Sequence, residues 1–217
     1  MSFGPRKIIP KPVREFVARL LGGRHPNELW LRIVMNSRTQ EFVATLPITS
    51  FRALEISGDR WKDLPFQAYQ SMPYDQYDVC AGPLSLEQWD IIFLEQVLEH
   101  VETPRRALQH IWQMLRHGGY VVVTTPFLIR VHNYPIDCSR WTELGMRNML
   151  IESGFSQAHI ETGSWGNASC AVWHLFMLGI TERYMPRIHS LKNDPRFPVM
   201  VWAFARKEVN RTESTNP

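Results

Sequence analysis

The sequence predicts an α/β protein built on a parallel β-sheet, and three features of residues 89–127 lead to this prediction. Residues 89–94 form a short apolar run, as in a buried strand. Residues 107–115 place apolar side chains at helical spacing, and Gly118-Gly119 ends that helix. Residues 120–125 are a β-branched run typical of a strand covered on both faces. Two such strands joined by a helical crossover form a parallel βαβ unit.

This stretch resembles the late core of the class I S-adenosylmethionine-dependent methyltransferases. In that family a strand opening with Asp leads into Val-Leu-Glu-His, a helix, a Gly-Gly turn and a strand ending in Thr-Pro. The same features stand here at Asp90, residues 97–100, Gly118-Gly119 and Thr125-Pro126. The resemblance spans about residues 53–155 and is closest to type 11 members. It implies a Rossmann-like three-layer sandwich with a mostly parallel seven-stranded sheet whose last strand is antiparallel. It also implies S-adenosylmethionine as cofactor and S-adenosylhomocysteine as product.

Length and composition favour one soluble globular domain. The chain has 217 residues, enough to bury a core. We expect an N-terminal helical cap at 1–52, a methyltransferase domain at 53–207 with a helical insertion at 166–195, and a disordered tail at 208–217. The three cysteines are far apart and form no CxxC pair, which fits a reducing cytoplasm. No run is long enough to span a bilayer, and no secretory signal is recognisable.

The N-terminal section is basic. Residues 1–52 hold nine basic and three acidic side chains, a net charge of +6, which leaves −3 on the rest of the chain. Helices are predicted at 13–21 and from Asn27 to about Ala44. The section is either a basic lid that attracts an anionic substrate or RNA, or a solvated helical face with dispersed charge. We expect it, with the insertion, to cap the carboxyl edge of the sheet.

Residues 52–58 are predicted to form the first strand. In the family this strand ends in Glu-x-Gly-x-Gly-x-Gly, and the following loop wraps the cofactor. Three positions match the start of that motif, Glu55, Ser57 and Gly58. Residues 59–61, Asp-Arg-Trp, replace the usual glycines, so the loop is predicted to differ and the helix after it to be short or absent before Pro65.

The next strands are predicted at 66–71, 77–81 and 90–94, and the resemblance places cofactor contacts at their carboxyl ends. Gln70 and Ser71 are expected to contact the ribose of the cofactor, and Cys80 and Ala81 the adenine. Glu95, Gln96 and Val97 are expected to contact its methionine end. For the residues near the adenine, plain core or loop packing is an equal alternative.

The loop at 126–142 holds the candidate catalytic residues. Related bacterial methyltransferases show a similar Pro-Phe…His…Pro-x-Asp…Arg-x-Thr pattern. His132, then His100, are the candidate general bases, because imidazole titrates near neutrality. Asp137 would orient the base, or would form an ion pair with Arg140 that pins the loop. Candidate substrate contacts are Phe127, Tyr134, Arg140 and Trp141.

A metal site is not expected. Some relatives hold a divalent metal with Glu-x-x-Glu-His, but Gln96 stands here for the first Glu. The alternative is a metal on Glu99 and His100, completed by Asp137 or His132. Carboxylate–histidine pairs serve structure more often than metal binding.

The remaining elements complete the fold. Thr142 is predicted to cap a helix at 143–152 that Gly154 closes. Strands are predicted at 156–164 and 199–206. The insertion between them contains a helical pattern, which would cover the substrate pocket or form a homodimer face.

The sequence therefore predicts methyl transfer to an oxygen or nitrogen of a small-molecule acceptor by a cytoplasmic enzyme with no membrane partner. Binding of nucleic acid is not expected, although an RNA methyltransferase would explain the basic N-terminal section. A methyltransferase-like protein without turnover is the other alternative, because the cofactor loop is poor in glycine. A nicotinamide oxidoreductase shares the α/β outline but not the Glu-His segment.

Overall fold

The computed structural model describes residues 28–176 and 183–209. A six-stranded sheet forms its centre, with helices on both faces. The strands are β1 (Arg52–Ile56), β2 (Ala68–Met72), β3 (Trp89–Glu95), β4 (Leu115–Pro126), β5 (Ile160–Trp165) and β6 (Met200–Arg206). The α-helices are α1 (Ile33–Ala44), α2 (Pro104–Met114), α3 (Glu143–Glu152) and α4 (Ala168–Phe176). Short 3-10 turns lie at Trp30–Arg32, Ile48–Ser50, Leu98–His100 and Gln157–His159.

The strand order is β2-β1-β3-β4-β6-β5. The first four strands pair in parallel, and β6 is antiparallel to both of its neighbours. The predicted α/β sandwich with an antiparallel last strand in chain order is therefore confirmed. The carboxyl ends of β1, β3 and β4 meet at one edge of the sheet, where ligands bind in open parallel sheets.

The sheet has six described strands and not seven, because the strand predicted third in chain order, at 77–81, is wrong: these residues form turns. The Asp78 side chain accepts a hydrogen bond from Cys80 N at 2.8 Å, and Ala81 N donates to Asp78 O at 3.0 Å. A local aspartate turn of this kind competes with extended pairing. The sheet therefore begins at β2, and residues 77–81 are left beside its carboxyl edge.

The connection from β1 to β2 contains no helix, as expected from the short segment before Pro65. Trp61 is buried there, and its ring stacks on Phe93 with 4.8 Å between ring centroids. The indole covers sheet surface that would otherwise need a helix.

Two apolar cores lie on opposite faces of the sheet. On one face α2 packs against β4 while α3 packs against β5 and β6, and α2 buries Ala107, Leu108, Ile111 and Met114. This spacing is that of an amphipathic helix. On the other face α1 and α4 pack with Trp30, Trp61 and Trp165.

The expectation that the N-terminal section and the insertion cap the carboxyl edge needs correction. Helix α1 crosses a face of the sheet, where Phe42 stacks on Phe204 with 4.1 Å between centroids. Its first turn reaches the carboxyl edge, where Asn36 contacts Arg60. Residues Cys170 and Ala171 of α4 are likewise buried against that face. These helices cover the sheet because its second face is apolar and lacks a helix between β1 and β2.

Several element boundaries agree with the sequence. Helix α3 has the predicted bounds, and its Thr142 cap accepts a hydrogen bond from Gly145 N at 3.1 Å. Helix α1 ends at Ala44, as predicted. The predicted helix at 13–21, most of the predicted tail and part of the insertion lie outside the described residues. Among the described helices, none has the length and apolarity needed to cross a bilayer.

Candidate active site

Strands β1 and β3 end in left-handed backbone at the carboxyl edge. Ser57 has φ 61° and Gln96 has φ 60°, a region that favours glycine. Backbone hydrogen bonds fix both turns, from Ser57 N to Met72 O and from Gln96 N to Thr124 O, each 2.8 Å long. The chain therefore turns sharply away after each strand and leaves the edge open.

A cavity of about 680 Å³ lies at this edge. Its size is within the range of small-molecule and cofactor sites. It brings together six of the residues that the sequence singled out, Ser57, Cys80, Gln96, Val97, His100 and Tyr134. The structure therefore places parts of the predicted cofactor, catalytic and substrate sites around one space.

Glu55 and Gly58 shape the loop beside this cavity but do not line it. The buried Glu55 carboxylate accepts hydrogen bonds from Arg60 N and Trp61 N, both at 3.0 Å, and from Tyr69 Oη at 2.7 Å. A Cβ on Gly58 would lie 2.3 Å from Glu55 Oε1. Burial, followed by the hydrogen bond to Glu55, raises the pKa of Tyr69. A direct cofactor contact by Glu55 or Gly58 stays a prediction.

Four other predicted cofactor contacts also lie away from the cavity wall. Glu95 accepts hydrogen bonds from Arg60 Nη1 at 2.7 Å and from the Trp61 indole at 2.9 Å, and burial raises the pKa of Glu95. Ser71 Oγ donates to Gly58 O, while the exposed Gln70 amide contacts Met72 Sδ. Ala81 is exposed. These side chains frame the loops, and their cofactor roles stay predictions.

The loop after β4 is held by the ion pair that the sequence offered as one alternative. The Asp137 carboxylate accepts hydrogen bonds from both terminal nitrogens of Arg140, the longer at 2.6 Å, and from His132 N at 2.7 Å. Burial alone would raise the pKa of Asp137, but these hydrogen bonds hold it below its ordinary value. The Arg140 guanidinium is therefore engaged within the loop, and a substrate contact for it stays a prediction.

The two candidate bases lie side by side. The His100 and His132 ring centroids are 5.1 Å apart, with the rings nearly perpendicular. His100 Nδ1 lies 2.5 Å from Ile136 O, so this nitrogen donates and Nε2 carries the lone pair. His132 Nδ1 lies 3.2 Å from Asp137 Oδ2. Burial lowers the pKa of His132 against the opposing effect of Asp137, which keeps its imidazole neutral at physiological pH.

Glu99 lies next to this pair and is the buried acid of the site. Its side chain is 0% exposed, and neither carboxylate oxygen has a hydrogen-bond partner among the described residues. Burial raises the pKa of Glu99 to about 7. Ligand atoms of Glu99, His100 and His132 lie within 4.8 Å of one another.

The predicted substrate contacts divide into rim and core positions. Tyr134 is 88% exposed and lines the cavity. Trp141 is buried in the core beneath α3, and Phe127 is partly buried against the same core. The structure gives both of these rings a packing role, and a substrate contact for either stays a prediction.

Five cavity-lining residues with a polar group in the side chain were missed by sequence reasoning. They lie in the turns after β2 and after the Glu-His segment, at Tyr74, Tyr77, Asp78, Glu102 and Thr103. The signal that could have found the first three is Pro73 followed by Asp75 and Asp78, a composition typical of turns.

Comparison with known proteins supports the same family. Residues 49–123 match the family model of the methyltransferase domain, Methyltransf_11. No curated protein matches the sequence.

Solved structures share the fold at low sequence identity. A methyltransferase described as a possible histamine N-methyltransferase from Thermotoga maritima has a TM-score of 0.56 and 15% identity, covering 90% of this chain and 96% of its own. A methyltransferase from Archaeoglobus fulgidus has a TM-score of 0.52 and 11% identity, with coverages of 81% and 94%. Phosphoethanolamine N-methyltransferase 2 from Haemonchus contortus has a TM-score of 0.52 and 11% identity, with coverages of 79% and 52%. Residues 49–123 therefore match a methyltransferase domain, and the described part of the chain shares its fold with solved S-adenosylmethionine-dependent methyltransferases.

Proposed function

We propose that this protein transfers a methyl group from S-adenosylmethionine to an oxygen or nitrogen atom of a small-molecule acceptor. The observation that carries the proposal is the cavity at the carboxyl ends of β1 and β3, with an imidazole in its wall. A cavity of this size can take the cofactor together with an acceptor of only modest size.

The charge of the cavity suits this cofactor better than a dinucleotide. Among the described residues, none of the side chains lining the cavity is a lysine or an arginine, while Asp78 and Glu102 are acidic. Dinucleotides place a pyrophosphate at the N-terminus of the helix after the first strand, and the β1–β2 connection has no helix. A wall with negative charge instead favours a sulfonium cation.

The cavity residues would divide the work of binding. Ser57, Gln96 and Val97 stand at the strand ends and would contact the cofactor, with Cys80 beside them. When bound, the cofactor supplies a methyl carbon already activated by the sulfonium. The chain then has to align the acceptor with that carbon and exclude water.

His100 and His132 are the groups available to take up a proton from the acceptor. His100 lines the cavity directly, with Nδ1 committed to Ile136 O and Nε2 able to accept. His132 lies behind it and is oriented by Asp137. Geometry therefore favours His100 for contact with the acceptor, and His132 for a supporting role.

Calorimetric titration with S-adenosylhomocysteine tests the cofactor assignment, with NADH as the comparison ligand. The variant Cys80→Trp fills the cavity and is expected to lose binding of S-adenosylhomocysteine. Cys138→Trp is the matched control, because Cys138 is exposed and does not line the cavity. Absence of binding at millimolar S-adenosylhomocysteine, or equal binding by the two variants, would contradict the proposal.

A screen of amine and hydroxyl acceptors, read as release of S-adenosylhomocysteine, tests turnover. The expected result is product release with at least one small acceptor and its loss in Cys80→Trp. Cofactor binding without turnover of any acceptor would instead support a non-catalytic binding protein.

A further inference from the structure

We propose that Glu99, His100 and His132 bind a divalent transition-metal cation at the edge of the cavity. The three side chains are a buried carboxylate and two imidazoles whose ligand atoms lie within 4.8 Å of one another. Cation binding by these side chains does not require methyl transfer, although its role in turnover rests on the proposed function.

The first argument is the isolation of the Glu99 carboxylate. It is fully buried, and neither oxygen accepts a hydrogen bond within the described part of the chain. The nearby charges of Arg140 and Arg32 offset part of the cost of burial, but a buried carboxylate that accepts no hydrogen bond still favours a bound proton or a cation in contact with it. The guanidinium of Arg140 is bound to Asp137 and gives Glu99 no hydrogen bond.

The second argument is the orientation of the two imidazoles. His100 Nδ1 contacts Ile136 O, and His132 Nδ1 contacts Asp137 Oδ2. A metal-binding histidine commonly donates one ring N–H to a carbonyl or carboxylate, which leaves the other nitrogen as ligand. Arg140 Nη2 also lies 3.3 Å from His132 Nδ1, but it donates to Asp137 Oδ2 at 2.6 Å. Nε2 of each ring is thus left to coordinate.

The third argument is the distance between donors. His100 Nε2 lies 3.7 Å from Glu99 Oε1. Metal–ligand bonds of about 2.0–2.2 Å correspond to donor separations of roughly 3–3.5 Å, so each donor needs to move by less than about 1 Å. Two imidazoles and one carboxylate favour zinc, iron, cobalt, nickel or manganese over calcium or magnesium.

The fold explains why these residues meet. Glu99 and His100 follow β3, and His132 follows the adjacent parallel strand β4. A hydrogen bond from Cys138 N to Glu99 O, 2.7 Å long, ties the second loop to the first. The sequence alone led us to expect no metal because Gln96 replaces the first Glu of the Glu-x-x-Glu-His cluster.

His100 lines the cavity, so the remaining coordination positions would face the acceptor. A cation there would act as a Lewis acid toward an acceptor hydroxyl or amine. With a cation bound, the imidazole lone pairs would coordinate it and could not accept a proton from the acceptor. The bound cation would then activate the acceptor in place of an imidazole base.

The test is direct titration of the full chain, treated with EDTA and then dialysed, with Co²⁺ and with Zn²⁺. Calorimetry gives stoichiometry, and the visible absorption of Co²⁺ reports coordination by nitrogen and oxygen without reference to activity. We expect one cation per chain. Glu99→Gln and His132→Ala should each weaken binding by about 100-fold or more, and Asp137→Asn by roughly 10-fold.

Glu102→Gln is the matched control, because Glu102 is an acidic residue of the same cavity outside the donor set. It should keep the affinity of the unaltered chain. Glu99→Gln conserves shape and removes a buried charge, so the metal-free variant should unfold at an equal or higher temperature; this shows that lost binding is not lost folding. Absence of stoichiometric binding, or equal binding by Glu99→Gln, overturns the proposal. Titration with S-adenosylhomocysteine in parallel separates this failure from failure of the cofactor assignment.

Discussion

Acid should destabilise this fold through two buried histidines, His174 and His189. They are 5% and 2% exposed, and Nε2 of each has no partner among the described residues. Burial lowers the pKa of both to about 4, and for His174 the nearby charges of Arg130 and His189 add to the effect. No carboxylate contributes to the pKa shift of either histidine. If either ring bound a proton in the folded protein, its positive charge would therefore have no negative charge to balance it.

The direction and size of the effect follow from linkage. An unfolded histidine binds a proton near pH 6.5, whereas these folded ones do so only near pH 4. Below pH 6.5 the unfolded chain therefore binds more protons, and stability falls as pH falls until about pH 4. Each histidine contributes at most about 1.4 kcal/mol per pH unit, and less near pH 6.5 where the unfolded histidine is only half protonated, so the pair costs roughly 3 kcal/mol between pH 6.5 and 5 and roughly 4 kcal/mol between pH 8 and 5.

Urea unfolding at pH 8, 6.5 and 5 measures this loss. The double variant His174→Gln/His189→Asn should lose less stability than the unaltered chain over this interval, by an amount approaching about 4 kcal/mol. Asparagine at 189 can still accept the hydrogen bond that Met185 N makes to His189 Nδ1. Because the pKa of Glu99 is raised in the folded protein, Glu99 adds stability as the pH falls. This contribution is the same in the double variant and in the unaltered chain, so it cancels when the two are compared. His159→Gln, at an exposed position, is the control. Parallel stability–pH curves for the double variant and the unaltered chain would refute the reasoning.

Two further predictions concern packing and are read by the same denaturation assay at pH 7.5. Gly58→Ala should cost roughly 1–3 kcal/mol and weaken binding of S-adenosylhomocysteine, because its Cβ would lie 2.3 Å from Glu55 Oε1. Gly82→Ala meets no atom within 4 Å and should be close to neutral; equal losses in the two variants would contradict this account. Leu108→Ala should cost about 2–5 kcal/mol, since Leu108 is fully buried under the sheet. Leu144→Ala, at a 65% exposed helical position, should cost under about 1 kcal/mol, and a similar loss at both sites would count against the core assignment.

The sequence predicted those parts of the fold that depend on apolar runs and local caps. Strands β3 and β4 each contain an apolar run on either side of a helical pattern, and α3 has a threonine cap, so the local pattern was enough. The segment at 77–81 failed because a short apolar run does not distinguish a strand from a turn. These residues form a turn because the Asp78 side chain accepts a hydrogen bond from Cys80 N.

The candidate site could be predicted only in its residue types. The Glu-His pair and the histidine of the later loop stand out in the sequence by their chemistry. The burial of Glu99 does not, because it depends on the loop that Cys138 N attaches to Glu99 O. Contacts between loops that are 30 or more residues apart follow from the tertiary fold, and local patterns carry no information on them.

The departure from the glycine-rich motif and the missing helix after β1 have one physical explanation. Without that helix, the sheet face beneath it needs another cover, and the Trp61 ring supplies part of it by stacking on Phe93. A tryptophan can stand there because Glu55 binds its backbone nitrogen and Glu95 accepts from its indole.

Arg60 completes this arrangement by joining Glu95 to Asn36 of α1, the helix that covers the rest of the face. Ser57 keeps the left-handed conformation that a glycine would adopt, so the chain still turns away from the carboxyl edge. The bulky residues therefore point toward the sheet face and not into the cavity, whose wall includes Ser57 but neither Arg60 nor Trp61. A loop poor in glycine is for this reason compatible with an open cofactor site.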